Sequence, residues 1–428
     1  MRTTFCYGFY MKNIRYSLLF ASLALVSQGC ATSSQAEAQT VQAPTTVTPQ
    51  LTQQQRFEAW KRDFTRRAIA KGYDASMVRD LIQPTVINER ALDRDSKQPE
   101  FTKPVWSYVD NAASADRLNR GRNKLAEEEA VFNAVEGRYH VPRHILTAIW
   151  GLETAYGRIM GTHQVPSALA TFAFEGRRTK FGEQQLFALL DMLKAGDVRQ
   201  GQLIGSWAGA MGMTQFIPTT FRDYAVDFNN DGNKNLWDSA EDALGSAAHY
   251  LSRSGWRKGE PVMTEVSVPQ GFNYTLLEDT RKTVNQWTAL GVAPITGQRW
   301  SQDAGFLEAK MIAPGGHRGP KILTFKNFDV IKRYNNSTSY VMGITVLGEA
   351  LRGNKVLQTP WPREDKPLSF EDKKAMQRQL TKIGYSTNGV DGQIGPNTRK
   401  AIRGWQKANG LPADGYLEQR LFKQLMGL

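Results

Sequence analysis

Cysteine is nearly missing from this chain: Cys6 and Cys30 are the only two among 428 residues. Both precede any stretch that reads as folded, so the folded part holds no disulfide, thiolate nucleophile or cysteine-ligated metal. Histidine is scarce too. His140, His144, His163, His249 and His317 are all there is, and none falls in a His-Glu-x-x-His spacing. A zinc amidase or endopeptidase has no motif to rest on, and structural or surface roles are expected for all five. No apolar run is long enough to cross about 30 Å of hydrocarbon. With a mean hydropathy of −0.46, a polytopic membrane protein is excluded. Acidic residues are the minority, 41 against 54 Lys and Arg, a net charge of +13. That excess suits an anionic partner: nucleic acid, a membrane surface or an acidic polymer. The 41% of hydrophobic residues suffices for a sizeable core in two or three domains and excludes a wholly disordered chain.

Lys12 and Arg15 precede a short apolar stretch at 18–26. A basic segment followed by such a stretch reads as a secretory signal, and Met11 is a second candidate start. Ser27-Gln28-Gly29-Cys30 then resembles a bacterial lipobox, with Ser27 where an aliphatic residue is usual. On that reading 1–29 is removed and Cys30 carries a lipid. Ala31 in place of Asp after it implies the periplasmic face of the outer membrane. The other reading is ordinary cleavage near Ala31 with Cys30 incidental. Residues 30–55 are rich in Ala, Ser, Thr, Gln and Pro and lack Lys and Arg; they are expected to form an unfolded tether. Three prolines amid mixed charges at 359–367 read as a linker, 356–368, between a body at 56–355 and a module at 369–428.

The module reads as three short helices. The first, 371–383, carries Ala375, Met376 and Leu380 on one stripe. The second follows Gly395-Pro396-Asn397-Thr398 and carries Ala401, Ile402 and Trp405. The third holds Leu417, Leu421, Phe422 and Leu425. Two similar turns, Asp391-Gly392 and Asp414-Gly415, connect them, with Gly supplying positive φ and Asp bonding its own backbone. This half-repeat resembles the three-helix peptidoglycan-binding domain of cell-wall enzymes over nearly the whole module. The resemblance implies a role in concentrating an enzyme on its polymer. A generic three-helix bundle is the plain alternative.

In the body, 144–157 has a helical period with Ile145, Ile149 and Leu152 on its apolar face. Glu153 falls where the pattern wants another apolar residue. A carboxyl there is partly desolvated and its pKa should rise, which suits a general acid at a glycosidic bond beside Trp150 and Tyr156. A Glu at the stripe's edge, reaching water or Arg158, is the bland reading. The segment 205–221 mixes small residues with Trp207, Gln215 and Phe216. Ser206 and Gln215 offer hydrogen bonds suited to a sugar, while the small residues alone suit close helix packing. In 332–344, Tyr334-Asn335 followed by Ser and Thr reads as a helix entered through an N-cap cluster.

Together these blocks resemble the lytic murein transglycosylase B family. They run in order: Gly151-Leu152-Glu153-Thr154, 208–218 (AGAMGMTQFIP), Asn235-Leu236-Trp237-Asp238, 249–256 (HYLSRSGW) and 333–340 (RYNNSTSY). The resemblance extends over roughly 56–351. It implies a mainly α fold, a lysozyme-like helical core with minor β elements, and Glu153 as sole catalytic acid/base. Ser206, Gln215, Tyr250, Tyr334 and Asn335 are implied to line the cleft. Peptidoglycan glycan strands become the expected partner, cell-wall synthesis proteins a further one, and an exported chain meets no nucleic acid. A hydrolytic muramidase and a catalytically silent wall-binding lipoprotein are the competing readings.

The segment 227–238 (DFNNDGNKNLWD) fits most of an EF-hand loop, with Asp227, Asn229 and Asp231 at positions 1, 3 and 5 and Gly232 at the sharp turn. Asn233 is a further oxygen donor. Position 12 is Asp238 in place of the usual Glu. The loop is longer in some members of the family, which would make Glu241 the last ligand. Calcium there would be structural, since the chemistry requires no cofactor. An Asx-rich turn that binds nothing is the alternative.

Overall fold

The computed structural model describes residues 51–97 and 104–428. Cys30, the signal segment and most of the expected tether lie outside the described residues. Ordered structure begins earlier than the composition suggests. Thr52 caps helix α1 (Gln53–Ala70) in a capping box with Gln55, which satisfies two end N–H groups reciprocally. The expected tether up to 55 therefore loses its last residues to a helix.

Two helical cores meet in the body. The first is built by α1, α2 (Ala75–Ile82), α8 (Val165–Phe174), α9 (Thr179–Ala195) and α10 (Pro218–Tyr224), with α3 (Glu89–Lys97) laid against α8. Phe57, Phe64, Leu81, Phe172, Leu189 and Phe221 fill its interior. The second is built by α4 (Val105–Ala112), α5 (Ala115–Glu127), α6 (Glu129–Tyr139), α7 (Arg143–Thr154), α11 (Ala240–Arg253), α13 (Lys326–Tyr334) and α14 (Thr338–Leu351). Its centre is Phe132, Leu146, Ile149, Leu244, Val341 and Ile344. Met213, Tyr250 and Tyr334 pack against both cores, so they mark the seam.

Two strands, β1 (His163–Gln164) and β2 (Ile204–Gly205), pair near that seam. A five-stranded antiparallel sheet forms a third layer, in the order β4-β6-β7-β3-β5. Its strands are β3 (Met263–Ser267), β4 (Arg281–Thr283), β5 (Ala293–Pro294), β6 (Glu308–Ile312) and β7 (Lys321–Thr324). Helix α12 (Val284–Ala289) covers it through Trp287, which is fully buried and donates its indole N–H to Ala309 O. β5 is a short edge strand, the place where Pro294 is tolerated.

The module forms α15 (Phe370–Lys382), α16 (Pro396–Ala408) and α17 (Gln419–Met426) around Met376, Leu380, Ile402 and Trp405. Its two turns are built alike. Gln377 bonds Gly392 N–H and the Asp391 carboxylate, and Gln406 does the same for Gly415 and Asp414. The linker segment is strapped to the body. Gln358 and Thr359 donate backbone N–H groups to the buried Glu265 carboxylate. Trp361 packs on Trp106 with ring centroids 6.0 Å apart, and Arg363 pairs with Asp110.

Candidate active site

Helix α7 ends one residue after Glu153. Pro142 is its N-cap, just ahead of the first turn. Ala155, Tyr156 and Gly157 all take positive φ, at 49°, 64° and 81°. This left-handed run stops the helix sharply and leaves Glu153 at its last turn. Tyr156 folds back under the helix and its hydroxyl donates to Arg117 O at 2.8 Å. A Cβ on Gly151 would sit 2.6 Å from that hydroxyl oxygen, so the Gly in Gly-Leu-Glu-Thr makes room for the turn.

The Glu153 carboxyl is pushed up from 4.5 to about 7 by burial, against the pull of a hydrogen bond that favours its anion. That bond is a donation from the Tyr340 hydroxyl to Glu153 Oε1 at 2.6 Å. Burial and the nearby Glu153 charge push the Tyr340 and Tyr334 hydroxyls up in turn, so both stay protonated donors. The aromatic neighbours thus come from α13 and α14. Trp150 and Tyr156, expected in that role, instead pack edge-to-face on each other at 5.9 Å.

The small-residue segment is an irregular loop and not a packed helix. Gly205 bridges Met211, and Met211 bridges Phe216. Backbone and side chains of the protein itself occupy the space its glycines leave: Leu169 lies against Gly209 and Leu236 against Gly212. Ser206 Oγ accepts N–H groups of Ala208 and Ala210, which folds the loop on itself. Gln215, at φ 53°, spends its amide N–H₂ on Met160 O and Gly212 O, leaving its carbonyl oxygen. Thr154, next to the glutamate, donates to Met213 O at 2.6 Å, and Tyr334 donates to Thr214 O at 2.5 Å. The loop is thereby stitched to both helices that carry the site. Tyr250 donates to Arg333 O and packs edge-to-face on Tyr334 at 5.3 Å, with Phe216 beside both. Asn335 follows Tyr334 and is exposed at the end of α13. Ser337 caps α14 by accepting from Tyr340 N, as the N-cap reading expected. Tyr340, the direct partner of Glu153, was not singled out from sequence. The one signal was a second tyrosine in the block that carries Tyr334.

In the Asp/Asn loop, carboxylate oxygens of Asp227, Asp231 and Asp242 lie within 4.8 Å of one another. The third carboxylate is Asp242 and not the expected Glu241, whose oxygen takes a hydrogen bond from Ser239. Consecutive helix residues point about 100° apart, and it is Asp242 that turns back onto the loop, accepting from Phe228, Asn229 and Asn235 N–H groups. Asn229 and Asp231 accept from the backbone of Asp231 and Asn233. Lys234, which would oppose a cation, pairs with Asp197 instead. An all-oxygen donor set of this kind fits a hard divalent cation.

The Glu153 carboxyl, raised to about 7 and bonded by Tyr340, lies where the loop at 205–217 is stitched to the seam of the two helical cores. Residues 56–349 match the family described as the transglycosylase SLT domain, and 371–425 a peptidoglycan binding domain. The chain is 31% identical over 295 residues to the membrane-bound lytic murein transglycosylase B of Escherichia coli strain K12, over 65% of this chain and 79% of that one. Among solved structures, SltB3 of Pseudomonas aeruginosa is similar at 42% identity and a TM-score of 0.83, over 86% of this chain and 99% of that one. It was solved with NAG-anhNAM-pentapeptide and with NAG-NAM-pentapeptide. Slt35 of Escherichia coli, solved with calcium, is similar at 30% identity and a TM-score of 0.60, over 68% and 92% of the two chains. The chain belongs to the lytic transglycosylase family.

Proposed function

We propose that this enzyme cleaves the β-1,4 bond between MurNAc and GlcNAc in peptidoglycan without water, with Glu153 as its only acid and base. The observation that carries this reading is the Glu153 carboxyl, raised by burial to about 7, where one group can both give and take a proton near neutral pH. Glu153 first gives its proton to the leaving glycosidic oxygen as the C1–O bond breaks. The substrate's N-acetyl oxygen holds the positive charge at C1, as in substrate-assisted glycosidases. The Glu153 anion, steadied by Tyr340, then takes the proton of the MurNAc C6 hydroxyl. That oxygen bonds to C1 and closes a 1,6-anhydro ring, so the proton count balances and Glu153 ends protonated.

Tyr334 and Tyr250 wall the site, and Asn335 positions the N-acetyl group. Ser206 and the free Gln215 carbonyl orient the sugar. Mass analysis of muropeptides released in heavy-oxygen water tests the scheme: anhydro ends free of solvent oxygen are expected. Labelled reducing ends would make the enzyme a hydrolytic muramidase.

The module at 369–428 holds the enzyme on sacculi, and the basic net charge suits the carboxylates of the wall peptides. Cys30 anchors the chain by a lipid to the outer membrane, facing the periplasm. Mass spectrometry of the mature N-terminus tests that placement. Asp227, Asn229, Asp231, Asn233 and Asp242 bind calcium, which braces the loop and takes no part in the chemistry. Calcium should raise Tm by mass action, and Asp227→Ala should abolish the rise.

A further inference from the structure

A cavity of about 270 Å³ lies where the module and its linker meet the body. Trp106, Ile312, Leu368 and Leu417 supply its apolar walls. Its charged groups divide in a telling way. The acids are already answered: Glu278 by Arg399 at 2.5 Å and Arg403 at 3.2 Å, Asp365 by Arg318, and Asp414 by His317 at 2.7 Å. The lysines are not. Among the described residues, neither Lys366 nor Lys373 carries an ion pair. Lys366 is exposed and keeps its water. Lys373 is half-buried, and its desolvated ammonium is pushed below the usual lysine range with no carboxylate to offset it. A cation placed this way on an apolar wall is short of one anion.

Building on the function proposed above, we propose that this cavity is a second substrate site, in which Lys373 receives a free carboxylate of the short peptide carried on the muramyl sugar. A five-residue peptide spans up to about 17 Å, enough to enter between body and module from a glycan strand that passes beside them. The module then selects strands as well as holding them, because peptide-bearing strands gain a charge-assisted contact that bare strands lack.

The test uses the full chain on glycan strands with and without their peptides. Bare strands serve as the internal reference, since they carry nothing into the cavity. In Lys373→Met, kcat/KM on peptide-bearing strands should fall about tenfold, the worth of one charged hydrogen bond, and Lys373→Arg should restore much of it. An equal loss on both substrates, or no loss on either, overturns the proposal. A second arm needs no variant: the free pentapeptide acid should bind the wild-type chain, read by shifts of NMR signals, and its carboxamide should bind more weakly. Equal binding of the two, or of neither, also overturns it. Failure here leaves the function above standing if bare strands still yield anhydro ends, and that function fails alone if they yield hydrated ones.

Discussion

At the scale of single residues, what makes Glu153 costly to the fold also fits it to the chemistry proposed for it. Its carboxyl sits at about 7 in the folded chain against 4.5 when unperturbed. Below 4.5 both states are protonated and the cost of burying a charge is absent. As pH rises from there to about 7, the unfolded chain releases its proton and the folded chain keeps it, so stability falls. Above 7 the full cost is present, roughly 3 kcal/mol. Glu153→Gln should therefore raise stability at pH 8 by up to that amount and change little at pH 4, read by denaturant unfolding. Its lytic rate should drop by about 10² to 10⁴. Tyr340→Phe is expected to act in another direction. Without the hydroxyl that favours the anion, Glu153 becomes a weaker acid, so the alkaline fall of kcat/KM should move to higher pH. An unmoved limb would show that another group sets it. The raised Glu153 carboxyl was legible in sequence because the residue interrupts an apolar stripe. Its partner was not, because Tyr340 lies 187 residues away and a helical period speaks only for its own helix.

At the scale of elements, the site depends on how α7 stops. Three successive left-handed residues end the helix, and Tyr156 needs the empty space above Gly151 to fold under it. Gly151→Ala places a methyl 2.6 Å from the Tyr156 hydroxyl oxygen. This overpacking should cost about 1–3 kcal/mol and re-aim Glu153, lowering kcat more than it raises KM. A thermal melt and a rate assay on one preparation separate the two effects. Caps and turns were readable at this scale: Ser337 before α14 and the paired Asp-Gly turns of the module carry their own mechanism. The loop at 205–217 was harder to read. Its glycines are consistent with a helix interface or a sugar site, and their service to Leu169 and Leu236 depends on elements that composition does not identify. The shift from Glu241 to Asp242 is of the same kind, one step of helical phase.

At the scale of the whole molecule, prolines and charges marked the linker between body and module but not what holds it, for Leu51–Leu428 forms one contact unit. Partners 46 to 253 residues away hold the linker down, and no local pattern announces them. The junction rests on charge. Arg403, with only 6% of its side chain exposed, pairs with Glu278, and Arg399 shares that carboxylate. His317 offers both its backbone N–H and Nδ1 to Asp414. Removing one partner of a buried pair leaves the other charge without compensation, a loss of about 3–5 kcal/mol. Glu278→Ala strands Arg399, leaves Arg403 only the exposed Asp279 at 3.5 Å, and lies outside both helical cores. The module should then come away from the body while each keeps its own fold. The expected signs are a larger radius of gyration in solution scattering and faster proteolysis within 359–368. Rising salt should release the wild-type junction only partly, because buried pairs are screened far less than exposed ones. If the variant stays closed and resists protease, the apolar contacts of Trp106 and Trp361 hold the junction and its ion pairs do not.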